Sequence, residues 1–189
     1  MKKSPFLCSL SFLLTSQLCH ALTLGLNVGV FQPSESIVRS VFDETPWHFE
    51  ARARLPVEHG FSWVVSPSYF FLESQVADLE SRIDFYALNF GFVSTLGQST
   101  TFQPFVGAGL GYLSLVGKQE NEITGNRFKD RTRNSYGTYW EIGLELPSGM
   151  GETTRLQIKL LDQYIDYNLF GNINIGGKVL SAGLQHTLP

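Results

Sequence analysis

Cysteine is nearly missing from this chain. Of 189 residues only Cys8 and Cys19 are cysteines, and both fall within the first 21. Once those residues are set aside as a leader, what remains has no thiol, so disulfides and cysteine-ligated metals are excluded. Charge is scarce as well, at 16% of residues. The formal net charge of −3 and the pI of about 5.8 leave no basic footprint for nucleic acid. Beyond the first two dozen residues there is no long apolar run, and a membrane helix needs about 20. No glycine loop precedes a helical pattern, no EF-hand spacing occurs, and no heptad or internal repeat is found. No cofactor and no metal are therefore expected.

What is present begins with an export signal. Lys2 and Lys3 form a positive start, Phe6 to Leu14 a short apolar stretch, and Cys19-His20-Ala21 a cleavage site after Ala21. The expected organisation is a cleaved signal over 1–21 and one β-barrel domain over 22–189. Removing the signal takes two lysines and no acids, and moves the formal net charge from −3 to −5. Leu18 stands where a lipoprotein signal carries a small residue.

Behind the signal the dominant pattern has a period of two. In Trp47 to Leu55, one parity carries Trp47, Phe49, Ala51, Ala53 and Leu55, and the other carries His48, Glu50, Arg52 and Arg54. Successive strand side chains point to opposite faces, so such a strand has one apolar and one charged side. Eight segments alternate in this way: 22–32, 47–55, 61–72, 82–95, 101–116, 135–146, 153–166 and 173–188. Pro67 lacks a ladder donor and predicts an irregularity in the third. Segments of roughly ten residues suit tilted membrane-crossing strands. Connections at 56–60, 96–100 and 147–152 are short, whereas those at 33–45, 73–81 and 117–134 are longer and polar. That alternation matches short periplasmic turns and long outer loops.

The expected fold class is all-β: an eight-stranded antiparallel transmembrane β-barrel. A soluble barrel would carry its apolar parity inside, and an apolar outer belt in water invites aggregation. The stretches Gln103-Pro-Phe-Val-Gly-Ala-Gly-Leu-Gly-Tyr112 and Leu24-Gly-Leu-Asn-Val-Gly-Val-Phe31 resemble strands of the OmpA/OmpX/OmpW-like outer-membrane β-barrel superfamily. The resemblance implies an outer-membrane location and insertion by the barrel-assembly machinery. Those families usually finish on an aromatic residue, whereas this chain ends Gln185-His-Thr-Leu-Pro189.

Candidate functional residues fall into groups. Glu50, Arg52, Arg54, Asp84, Glu141, Glu145, Arg155 and Lys159 are assigned to the lumen, where both signs can pair and plug it. The interior of an eight-stranded barrel is just wide enough for side chains. A gated pore lined by the same residues is the alternative. Trp47, Tyr69, Tyr86, Tyr112, Trp140 and Tyr164 are read as interfacial girdles. Arg127, Lys129, Arg131 and Arg133 alternate along the limb of the loop at 117–134 and are candidate contacts to lipopolysaccharide phosphates. The same loop is where a host or surface ligand would be met.

Asp43, Glu44, Asp78 and Glu80 are read as solvated loop charge. His48, two residues from Glu50 on one parity, can orient a base. No serine stands beside it, and His59 and His186 fall at the opposite end, so enzymatic activity is not expected. The expected role is structural or surface-interacting (adhesin-like), with a narrow channel for small or hydrophobic solutes as the alternative and a lipid-modifying enzyme behind both.

Overall fold

The computed structural model describes residues 22–35, 39, 45–57, 60–76, 79–97, 101–121, 127–168 and 172–188. The predicted signal over 1–21 lies outside these, as do His59, Asp43, Glu44 and Asp78. Nine strands appear in chain order: β1 (Thr23–Pro33), β2 (Trp47–Pro56), β3 (Phe61–Val76), β4 (Leu79–Thr95), β5 (Gln103–Asn121), β6 (Arg127–Pro147), β7 (Thr154–Asn168), β8 (Asn172–Asn174) and β9 (Gly177–Thr187). Neighbours along the chain pair antiparallel from β1 to β7, and β9 pairs with both β7 and β1. The eight long strands thereby close into a barrel. The three-residue β8 folds back on Asp166–Asn168 of β7.

Alternation is what orients each strand. In β1 every second residue is buried from Gly25 to Pro33, and the residues between are exposed. The outward set is mostly apolar: Leu26 is 70% exposed, Leu110 66%, Trp47 59% and Leu180 56%. Three tryptophans, Trp47, Trp63 and Trp140, belong to this outward set. Trp63 lies against Phe90 and Phe92, with ring centroids 5.1 and 3.7 Å away.

The turns at the end holding both termini are tight. Gly60, at φ 83°, lets the chain reverse between β2 and β3, and its carbonyl accepts from the Thr95 N–H at 2.9 Å.

Several sequence expectations change. Residues 73–76 and 79–81 are strand, and most of 117–134 is the ends of β5 and β6 rather than loop. These stretches carry polar residues at both parities, so they lack the alternation that marks a half-buried strand. At Pro67 the β2–β3 ladder skips Ala51 and Arg52, then resumes in the same register at Ala53↔Val65. The irregularity is a gap without a bulge. The register shift lies instead between Gly117 and Gln119.

One close approach depends on two glycines in the barrel wall. Gly91 and Gly109 face each other across β4 and β5, and the Tyr139 ring crosses them. A Cβ on Gly91 would stand 2.5 Å from Tyr139 Oη and 2.8 Å from Gly109 Cα. Gly91→Ala is therefore expected to cost ~1–3 kcal/mol or more through overpacking. Unboiled samples on a denaturing gel should lose the fast-migrating folded band. Leu110→Ala, on the lipid side, should keep it.

Candidate functional site

The inward side chains form three tiers. Nearest the outer end, away from the termini, lies an apolar plug. Phe31, Phe70 and Phe85 stack in sequence, with centroids 4.2 and 4.4 Å apart. Leu72, Leu113, Leu115, Tyr139, Leu161, Ile165 and Val179 complete it, and Ile175 packs against it from the β8–β9 connection. Asn174 Oδ1 holds that connection by accepting the N–H groups of Ile165 and Gly176, at 3.1 and 2.9 Å.

His48 sits at the lower border of the plug, 5.9 Å from the Phe70 ring and 2% exposed. Its Nδ1 has no hydrogen-bond partner.

The middle tier is charged and buried. Arg52 Nη1 donates to Glu141 Oε2 at 2.8 Å, and its Nη2 donates to Glu141 Oε1. Lys159 Nζ donates to both Glu50 oxygens at 2.6 and 2.7 Å, and to Glu141 Oε2 at 3.3 Å. Asn27 Nδ2 adds a bond to Glu50 Oε1 at 3.1 Å. These four charged side chains are 0–1% exposed, and the two signs balance. A buried ion is costly to desolvate by several kcal/mol, so such a tier is tolerable only when complete. Here each carboxylate accepts from more than one donor.

The third tier surrounds the mouth at the terminal end. Arg54 Nη1 donates to Glu145 Oε1 at 2.8 Å, and its Nε donates to Ser62 at 3.1 Å. Gln157 Nε2 also donates to Glu145 Oε1, and Gln185 Nε2 donates to Gln157 Oε1. Arg155 Nε lies 4.0 Å from Glu145 Oε2. A cavity of about 350 Å³ opens here, bounded by Thr23, Arg54, Ser62, Arg155, Gln185 and Thr187.

The structure therefore places Glu50, Arg52, Arg54, Glu141, Glu145, Arg155 and Lys159 inside the barrel. Asp84 corrects the expectation. It shares its parity with Tyr86, Leu88 and Phe90, all exposed, whereas Phe85 and Ala87 point into the plug. Asp84 is buried on the outer surface instead, accepting from Tyr69 Oη at 2.8 Å and from Arg82 Nε at 2.9 Å. Arg82 also donates to Glu73 at 2.8 Å and lies 4.3 Å over the Phe71 ring.

The side chains of Arg127, Lys129 and Arg131 lie outside the described residues. Their backbone runs in β6, and Arg133 on the same strand is exposed. Sequence reasoning had no signal for the plug, because its phenylalanines fall on the inward parity that the charged strands made look polar. Among the described residues no cluster fit for a metal ion occurs.

No family model and no curated protein matches this sequence. Solved structures do match in fold. Neisserial surface protein A is 12% identical, with 87% of this chain and 96% of that one covered, at a TM-score of 0.59. The outer membrane protein OprG from Pseudomonas aeruginosa is 10% identical, covering 89% and 96%, also at 0.59. Ail, the attachment invasion locus protein of Yersinia pestis, solved with the heparin analogue sucrose octasulfate, is 13% identical over 87% and 96%, at 0.53. At such identities the likeness establishes the fold, that of the small outer-membrane β-barrels.

The charged tier makes a quantitative test. Arg52→Leu leaves Glu141 short of its main partner and should cost about 3–5 kcal/mol in urea unfolding from micelles. Arg52→Leu with Glu141→Leu should recover much of that loss. A single-variant cost under about 1 kcal/mol would mean that the tier is hydrated.

Proposed function

We propose that this protein is an outer-membrane barrel with a closed lumen, and that it works at the cell surface through the sheet its central strands carry beyond the membrane. The observation that supports this most is an asymmetry of strand length. The β3–β4 ladder runs to Val76↔Leu79, and the β5–β6 ladder to Glu120↔Arg127. The β1–β2 ladder stops at Val30↔Trp47, β6–β7 at Gly137↔Ile165, and β7–β9 at Asp162↔Lys178.

Four strands thus project past the rest. Among the described residues, β6 from Arg127 to Tyr136 has ladder pairs with β5, interrupted at Lys129 and Asp130, and none with β7. At about 3.4 Å per residue, that is some 34 Å of open edge. An open edge presents unpaired N–H and C=O groups, and an extended segment of another chain can add to it as a further strand. Arg127, Lys129, Arg131 and Arg133 at alternate positions favour an acidic segment. The fold likeness to a surface protein and to an attachment protein supports the same role.

A channel is the weaker reading, since a plug and a balanced, buried charge tier lie in series across the lumen. A lipid-modifying role is weaker still. His48 points into the lumen and is 2% exposed, out of reach of a bilayer lipid.

Gly117 and Arg131 stand opposite each other, so a two-residue Asn-Gly turn can replace 118–130 and close the hairpin. That variant should keep its folded gel band yet lose most adhesion of expressing cells to immobilised matrix proteins and heparin. Unchanged adhesion would remove the surface reading. In planar bilayers the intact protein should give no discrete conductance steps, and regular steps would revive the channel.

A further inference from the structure

We propose that the lipid-facing wall holds a site for one glycerophospholipid of the inner leaflet, with an acyl chain lying in a notch along β2 and the head at His186. The proposal rests on the outward parity facing lipid, and not on the role at the cell surface.

The notch follows from residue size. The outward positions of β2 read Trp47, Phe49, Ala51, Ala53 and Leu55, so two methyl side chains fall between bulky ones. Ala51 stands opposite Leu26 in the β1–β2 ladder, and Ala53 stands opposite Leu24. Ala53 faces Val65 on the β3 side. One strand beyond β1, Ala182 of β9 is small again and pairs with Val28. The result is a groove of about 710 Å³, bounded by Leu24, Leu26, Val65, Pro67, Ala182 and Leu184.

Place and length decide the occupant. The groove is continuous with the outward apolar belt that meets lipid, so hydrocarbon fills it. From Phe49 to Leu55 the strand advances about 20 Å at ~3.4 Å per residue. A tilt of ~45° turns that into ~14 Å of depth, about half of a ~30 Å hydrocarbon core. One leaflet's acyl chain has that span.

The end of the groove toward the termini is polar. His186 lines it and is exposed, and its Nδ1 lies 2.9 Å from Thr154 Oγ1. With the threonine donating, the ring proton sits on Nε2, which can donate to a phosphate or ester oxygen. A chain with an oxygen-rich head at one end uses both features, whereas a plain hydrocarbon solute leaves His186 unused. The groove also borders Ala51, Arg52 and Pro67, where the β2–β3 ladder is interrupted. On the lumen side of that gap, Arg52 donates to Glu141 in the charged tier. A seated chain keeps water away from this part of the wall, and water would weaken the pairing behind it.

The test uses the folded mature protein in micelles, supplied with palmitoyl-oleoyl-phosphatidylethanolamine and examined by native mass spectrometry. One retained phospholipid per barrel is expected. Ala53→Phe, which fills the notch from β2, should lose most of it, and Ala182→Phe should do the same from β9. Ala108→Phe adds the same ring to the opposite wall and should retain the lipid. The folded gel band selects the variants that count, so either filling variant alone suffices. In competition with the diacylglycerol of the same chains, the unaltered protein should prefer the phospholipid, and His186→Ala should bring the two level.

Equal retention by a folded filling variant and Ala108→Phe would overturn the proposal, as would a folded barrel that retains no lipid. A dimer split by Ala53→Phe would put a second copy in the notch and overturn it too. A barrel that retains no lipid here but is still quenched by bromolipid would end this proposal and leave the membrane reading standing.

Discussion

A lipid bilayer offers no hydrogen bonds, and the rest of this structure follows from that. Each backbone N–H and C=O left unpaired at that depth costs several kcal/mol, so a sheet must close on itself. Here closure comes from β9, which pairs β1 on one side and β7 on the other. Closure gives every long strand one side toward lipid and one toward the axis. The outward parity is then free to be as apolar as Leu26, Trp47, Leu110 and Leu180, which would be a liability in water. The gap opposite Pro67 is the one departure along β2–β3, and β2 and β3 keep their register across it.

The inward parity meets the opposite demand. Small barrels have no room for a water column, so side chains must fill the axis. This chain does so in two ways. The outer half uses stacked phenylalanines and branched residues, as a soluble core would. The inner half uses paired charges, and removing one member of the Glu50–Lys159–Glu141–Arg52 set strands another. Polar pairing also ties β2 to β6 and β7 across the lumen, which ladder bonds cannot do for strands that are not neighbours. The plug and the charge tier together fill the interior along the axis.

Strand number, order and sidedness were readable from period-two alternation, since alternation is a direct record of having two different surroundings. What alternation cannot record is height along the axis. Phe31, Phe70 and Phe85 lie on the same parity as Glu50 and Lys159, so a plug and a charge tier look alike in the pattern. Strand ends were misjudged for a related reason: residues 117–121 and 127–134 are strand without apolar–polar alternation, and polar runs of that kind read as loop. Asp84 was assignable in principle. Its even number matches Tyr86 and Leu88, and charge alone argued for the lumen, whereas the girdle supplies Tyr69 and Arg82 as partners. Gly109 of β5 was visible, but its purpose depends on Tyr139, some thirty residues away in sequence.

The central claim is that the apolar parity faces lipid. It is tested most directly by tryptophan fluorescence of the folded protein in vesicles whose acyl chains carry bromine. Trp47, Trp63 and Trp140 all lie on the outward parity, so strong quenching of the total emission is expected. Single-tryptophan variants should each be quenched in turn. Emission unaffected by bromolipid, from a protein shown to be folded, would place the aromatic parity inside and contradict the account.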